Sequence, residues 1–318
     1  MEKTKGFRHI GDALFGSTAS LTVSESGLAV QPQEVVVERD VPEKPHKNKA
    51  FAAVHANLKD IPYYAGGTCT KLINEGYTGY IIRTSNDEQS GEGSSFQNIL
   101  SNEQEHVKMA HAVGFADIFD LYYCNHRLDN DSILEIRGRL IFLFRLLRID
   151  TVITYVPFGF DEENPDQWVT GRAVAQACLM AGLKNHYPEH FEVVQPYTVK
   201  ERYYAVGTGH PFNRIVDISS SIERKIDAIV ECKSQGGGNK GSLLRKRLTS
   251  EGRRLPILGN DDSIANREYV RNFLLTPYKR LGEQFNLSYA ECFNYIDERT
   301  SEEDELVEEY IKKNVEKL

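Results

Sequence analysis

From Lys49 to Gly182 the chain alternates strand-like and helix-like runs, and this rhythm constrains the fold more than any other feature. AFAAVHA (50–56) reads as a buried strand, because small and apolar residues run together without polar alternation. Gly66 and Gly67 mark a turn, and TCTKLINEG reads as a helix closed by Gly76. TGYIIRT (78–84), DIFDLYY (117–123) and DTVITYV (150–156) are further strands. Helical spacing separates them over 98–113, with Ile99, Val107, Ala110 and Val113 on one face, and again over 133–149 and 169–181. A repeated strand–helix order requires right-handed crossovers. The expected fold class is therefore α/β: a doubly wound, Rossmann-like, mainly parallel sheet flanked by helices.

Outside that block the pattern weakens. Residues 1–48 are polar, with EVVVERD as one short strand, and form an N-terminal extension. ERYYAVG and RIVDIS predict shorter strands, and SIERKIDAIVECKSQ a helix that ends the α/β domain near residue 235. Residues 236–318 read as a mainly helical C-terminal extension. Its last helix has a capping box at Thr300 with Glu303, acids in the first turn and lysines in the last.

Composition bounds the function classes. A chain of 318 residues with 40% hydrophobic residues can bury a substantial core, and its net charge of −8 argues against a nucleic-acid partner. Five widely spaced cysteines without a CxxC pair suggest free thiols rather than a disulfide framework or a cysteine zinc site. No run approaches the ~20 apolar residues of a membrane span. The expectation is a cytoplasmic protein with no membrane partner.

In open parallel sheets ligands bind beyond the carboxyl ends of the strands. Residues 55–68, 84–91 and 156–168 should converge there, bringing His55, Asn57, Lys59, Asp60, Thr84, Asp87, Asn164, Asp166 and Gln167 into one polar crevice, with Asp161, Glu162 and Glu163 at its rim. Trp168 either floors that pocket or packs the helix start.

VHANLKDIPYYAGGTCTKLINEGYTGYIIRTSND and NPDQWVTG resemble the two motifs of the PIG-L/LmbE family of zinc-dependent N-acetyl-sugar deacetylases. The first family motif runs AHPDD to GGT, then a helix and a strand ending in Thr, here Thr84. The likeness covers about 49–235 and leaves both ends of the chain unaccounted for. It implies a zinc site and an amide hydrolase acting on a sugar-like small molecule. Counting back from Gly66-Gly67-Thr68, the family's metal-binding His falls on Asn57, its general-base Asp on Lys59 and its ligand Asp on Asp60. The third ligand position holds Gln167, the preceding His position Asn164, and a later His position Cys232. An acidic position before the loop is Val156. Only Asp60 is retained.

The substitutions bear directly on chemistry. Zinc takes imidazole, thiolate or carboxylate ligands at about 2.0–2.3 Å, and amide oxygens are weak substitutes. A hydrolytic site also needs a base. Lys59 is protonated near neutral pH unless strongly desolvated, so it is a poor base there. Its ammonium would occupy electrostatically the place of the missing metal. Three readings stay open. One is a pseudoenzyme without a cofactor, acting as a binding or regulatory partner of another protein or a paralogue. A second is an active hydrolase whose zinc or other divalent metal is held by Asp60, Asp166, Gln167 and His55 or His126. The third is a different enzyme with Lys59 as nucleophile or phosphate-binding group. His55, about 6.6 Å of strand before Asn57, reads as a core or supporting histidine. His106 and His111 read as surface or packing residues.

Two further features stand apart from the crevice. SQGGGNKGS (234–242) lacks the order of a phosphate loop and follows a helix rather than a strand, so a flexible surface loop is expected. LLRKRLTSEGRR (243–254) is locally basic and reads as an exposed face, with an acidic partner as the alternative.

Overall fold

A computed structural model describes residues 35–41, 43–157, 163–206, 211–297 and 302–315. At its centre is an eight-stranded sheet in the order β1 (Val36–Glu38), β7 (Arg214–Asp217), β8 (Ala290–Ile296), β6 (Glu201–Ala205), β5 (Thr151–Tyr155), β2 (Ala50–His55), β3 (Thr78–Ser85), β4 (Asp117–Tyr123). All neighbours are parallel except β8, which runs antiparallel to both β6 and β7. The α/β, mainly parallel expectation holds.

Every residue of β2 is buried, which accounts for a strand without polar alternation. Its side chains divide by parity. Phe51 and Ala53 join Ile81 and Ile153 on one face, covered by α2 (Gly66–Asn74), α3 (Ser95–Val113) and α6 (Ile222–Glu231) through Leu72, Met109, Val113, Ile226 and Ile229. Ala52 and Val54 join Ile82 and Val152 on the other face, covered by α4 (Ile133–Leu146) and α5 (Pro165–Ala181). Phe51, Ile81 and Ile82 are fully shielded, and each contributes roughly 2–3 kcal/mol by leaving water. Small residues on α5 (Ala173, Ala177, Ala181) let it lie close to α4. At Gly171 a Cβ would come within 3.0 Å of the Val156 carbonyl.

From β2 the chain lays β3 and β4 on one side of the sheet, then crosses to place β5 on the other side of β2. The carboxyl ends of β2 and β5 therefore flank a topological switch point, the usual place for a ligand crevice.

Both ends of the chain contribute to the same sheet. β1, the strand read from EVVVERD, pairs with β7 as an edge strand. The segment 236–318, expected to be mainly helical, does hold α7 (Lys240–Ser250), α8 (Asp262–Tyr269), a π-helical turn at Val270–Leu274, α9 (Thr276–Gln284) and α10 (Glu302–Asn314). It also supplies β8, inserted between β6 and β7. A short helix, α1 (Asp60–Tyr64), follows β2. The capping box expected at Thr300 lies outside the described residues.

Candidate functional site

The loop after β2 turns back on itself around one carboxylate. Asp60 is 1% exposed and accepts four hydrogen bonds. Oδ2 accepts from the Asn57 backbone N–H at 2.8 Å, from Asn57 Nδ2 at 3.0 Å and from the Tyr155 hydroxyl. Oδ1 accepts from Gln167 Nε2 at 3.2 Å. All of these donors are neutral. Burial outweighs their hydrogen bonds and pushes the Asp60 carboxyl up to about 6. Tyr155, the last residue of β5, in turn accepts the Ala56 N–H at 2.8 Å, which ties the β2 and β5 loops together.

A second carboxylate organises the far wall. Asp166, fully buried at the start of α5, accepts from Asn125 Nδ2 at 2.8 Å and from the backbone N–H groups of His126 at 2.6 Å and Leu128 at 3.2 Å. Asn125 Nδ2 also donates to Asn57 Oδ1 at 3.0 Å, which links the two walls. The Asn164 side chain caps α5 by accepting the Asp166 N–H. Thr84 shares a 2.7 Å hydroxyl contact with Thr170.

Behind this layer lies a buried histidine pair. His55 Nδ1 donates to the Asn57 carbonyl at 2.8 Å, and its Nε2 sits 3.2 Å from His106 Nε2. Burial holds His55 down to about 3 and His106 well below the ordinary histidine range, so both rings are neutral. With the His55 proton on Nδ1, His106 donates between them. His106 is thus the packing residue and His111 the surface residue of the two readings given for them. Arg83 beside them donates to Asp120 at 2.7 Å and Asp87 at 3.0 Å, and Asp87 accepts the Leu58 N–H.

The structure brings together Asn57, Asp60 and Gln167 directly, joins Asn164, Asp166 and Thr84 through the walls, and places His55 beneath. Lys59 is not bonded to the carboxylate. Its side chain is exposed, and the Asp60 oxygens are held by amides and a phenol. Its positive charge still favours the ionised Asp60, behind the hydrogen bonds of Tyr155 and Asn57. Cys232 is buried at the end of α6 and donates to the Ala228 carbonyl. Trp168 packs against the α4–α5 core, and the His126 side chain points to solvent while its backbone serves Asp166. Asp161 and Glu162 lie outside the described residues.

Gly66 and Gly67 open α2. At Gly67 a Cβ would meet Ile218 at 2.6 Å, so the residue has to be glycine unless β7's end moves. The amides of Gly67 and Thr68 and the Thr68 hydroxyl donate to Glu291 at 3.0, 2.8 and 2.6 Å. Glu291 pairs with Lys225 at 2.7 Å, and both side chains are fully buried. Lys225 also donates to the carbonyls of Pro62 and Tyr63. Sequence reasoning missed Tyr155, Asn125, Lys225 and Glu291. Tyr155 ends a buried strand and Asn125 lies just past the end of β4, both at the crevice end of the sheet. Glu291 was hidden in a segment read as helix.

The SQGGGNKGS stretch is a correction. Gly236, Gly237 and Gly238 are buried rather than forming a flexible surface loop. Gly236 and Gly238 donate back to Cys232, and the Tyr63 hydroxyl donates to the Gly236 carbonyl. The loop packs tightly over α1, with Gly236 close to Lys59 Cβ.

These residues do not fit a zinc ion. Asp60 has committed both oxygens, both nitrogens of His55 are engaged, and Asn57 and Gln167 face the carboxylate with amide N–H groups. Among the described residues no three His, Cys, Asp or Glu side chains come together as a metal-binding group.

Solved structures decide the fold. The chain is similar to the N,N'-diacetylchitobiose deacetylase from Pyrococcus horikoshii, with TM-score 0.63 and 22% identity over 78% of this chain and 84% of that one. The chain has the PIG-L/LmbE fold. A conserved protein from Thermus thermophilus is similar at TM-score 0.56, 20% identity and 78% and 94% coverage. The 4-carboxy-2-hydroxymuconate hydratase from Pseudomonas putida is similar at TM-score 0.59, 16% identity and 80% and 98% coverage. No protein-family model and no curated protein matches the chain. The PIG-L/LmbE fold thus carries more than one named activity, and the chemistry of this chain has to be argued from its own site. No helix among the described residues is long and apolar enough to cross a membrane.

Proposed function

We propose that this chain is a PIG-L/LmbE-fold pseudoenzyme: a protein that keeps the crevice between β2 and β5 but has lost zinc-dependent deacetylation. The observation that carries the reading is the four neutral donors on Asp60, which take up the oxygens a metal would need. Gln167 supports it by donating an N–H where the family resemblance places a ligand. Exposed Lys59 supports it by leaving the crevice without a base at the expected position. In this reading the retained crevice binds a sugar-like small molecule rather than cleaving it, and the role is regulatory, alone or beside a protein partner. The setting we propose is the cytoplasm, where the five free cysteines stay reduced.

The test is metal content together with hydrolysis. Purified protein equilibrated with excess zinc and then dialysed is expected to retain far less than one zinc per chain, and to release no acetate from a panel of N-acetyl sugars. Stoichiometric zinc with acetate release would replace this reading with a hydrolase that uses rearranged ligands.

A further inference from the structure

Two features of the C-terminal region take no part in the crevice, and their chemistry is complementary. The first is α10. On this helix Leu306, Val307, Tyr310 and Ile311 share one side, yet Leu306 is 63% and Tyr310 69% exposed, and Val315 just past its end is 72% exposed. A helix with an apolar face is stable when that face is covered. Its sequence, EEDELVEEYIKKN, is acidic along most of its length. The second is an open groove of about 500 Å³ between α7 and the π-helical turn, lined by Lys240, Leu243, Leu244, Arg247, Tyr269 and Phe273. Its floor is apolar, with Leu243 55% and Phe273 46% exposed, and its rim is cationic.

We propose that α10 of a second copy of this chain docks in the α7–π-turn groove. Leu306, Tyr310 and neighbours fill the apolar floor, while Glu308 and Glu309 meet Lys240 and Arg247. An amphipathic helix laid in an apolar groove is a common recognition mode, and charge at the rim sets its orientation.

The reach of the chain favours a second copy over the helix of the same chain. β8 runs antiparallel, so it begins at the crevice end, where Glu291 meets Gly67, and finishes at the opposite end of the sheet. The groove lies at the crevice end, because α7 starts directly after the glycine loop that covers α1. β8 travels about 20 Å away from that end. Residues 297–301 span at most ~17 Å, and within one chain Leu306, Tyr310, Leu243 and Phe273 are all exposed, so α10 does not fill its own groove. A reciprocal exchange between two copies covers both exposed faces at once and closes as a two-fold dimer.

The experiment is sedimentation velocity of the full chain across a concentration series, with Tyr310→Asp on the helix and Phe273→Asp in the groove. Both positions are exposed, so neither change disturbs the core. The wild-type protein is expected to dimerise, and each variant to weaken the dimer about tenfold or more. Mixing the two variants restores one intact helix–groove contact and gives a heterodimer. Arg247→Glu is expected to weaken the dimer as well, and added salt to do the same. A wild-type chain that stays monomeric at every concentration overturns the proposal. So does a dimer that survives both aspartates.

Discussion

Asp60 and Glu291 are both buried carboxylates, one in the loop after β2 and one in β8 bonded to Gly67 and Thr68, and the fold treats them in opposite ways. Glu291 receives a lysine, two amides from the start of α2 and a hydroxyl. Asp60 receives two amides, a phenol and a backbone N–H, with no cation in hydrogen-bonding reach. A buried anion beside a cation has its charge offset directly, whereas one with dipoles alone is pushed toward its neutral form. Glu291 therefore acts as a clamp that joins β8 to α2. Asp60 carries the cost of a buried charge with no cation bonded to it.

The largest expected effect falls on the clamp. Lys225→Met leaves Glu291 as an uncompensated buried anion, and should cost about 3–5 kcal/mol in urea unfolding. Adding Glu291→Gln should recover part of that loss, because the amide oxygen still accepts from Gly67 and Thr68. A loss below about 1 kcal/mol for Lys225→Met would show that the ion pair does not hold the turn.

Acid titration separates the two regions further. His55 and His106 are buried neutral, with folded values held below the unfolded value near 6.5. The unfolded chain therefore binds the extra protons, and their contribution is lost as pH falls below that value. Asp60 is shifted the other way, from 3.8 to about 6, so its cost is present above pH 6 and disappears as pH falls toward 4. Between pH 6 and 5 these three groups together should cost about 1.4 kcal/mol per pH unit, two histidines against one aspartate. In Asp60→Asn the opposing carboxylate is gone and the slope should roughly double. An unchanged slope would mean that Asp60 is ionised across the range.

At pH 7.5 the same variant sharpens the comparison directly. A rise from 3.8 to about 6 corresponds to a cost of about 3 kcal/mol for keeping Asp60 charged. Gln167 can rotate its amide to accept from the N–H that the substitution introduces, so Asp60→Asn should stabilise the fold by about 1–2 kcal/mol. A clear destabilisation would indicate that a cation holds the carboxylate in solution. Metal retention measured on the same sample would identify it.

The strand–helix rhythm made the sheet legible because burial on both faces leaves a pattern that composition alone reveals, as in AFAAVHA and TGYIIRT. The crevice was legible for the related reason that loops after β2 and β5 must meet at the switch point. AECFNYI was harder to read. A strand inserted antiparallel beside β6 has mixed exposure, and the helices on its N-terminal side set the expectation for the whole segment. Glu291 was lost with it. Tyr155 and Asn125 were missed differently: their roles come from donating a single hydrogen atom to a carboxylate distant in sequence, and no spacing rule encodes that. The glycine loop shows the same limit. GGG signals freedom in a sequence, while here it signals a close approach to Cys232 and the Val230 carbonyl that a Cβ would block.

Lys59 gives the smallest effect and the most discriminating one. The sequence puts it where a base should stand and suggests an ammonium in place of a metal. The structure places its side chain in solvent, one residue from a carboxylate satisfied by other groups. An exposed cation without a fixed partner contributes little to stability. Lys59→Ala should therefore change unfolding free energy by less than about 0.5 kcal/mol and leave the acid slope of the wild-type protein unaltered. If instead it unfolds the protein as severely as Lys225→Met, then Lys59 swings inward and takes the place beside Asp60 that the sequence assigned to it. The two buried carboxylates would then be neutralised by the same means.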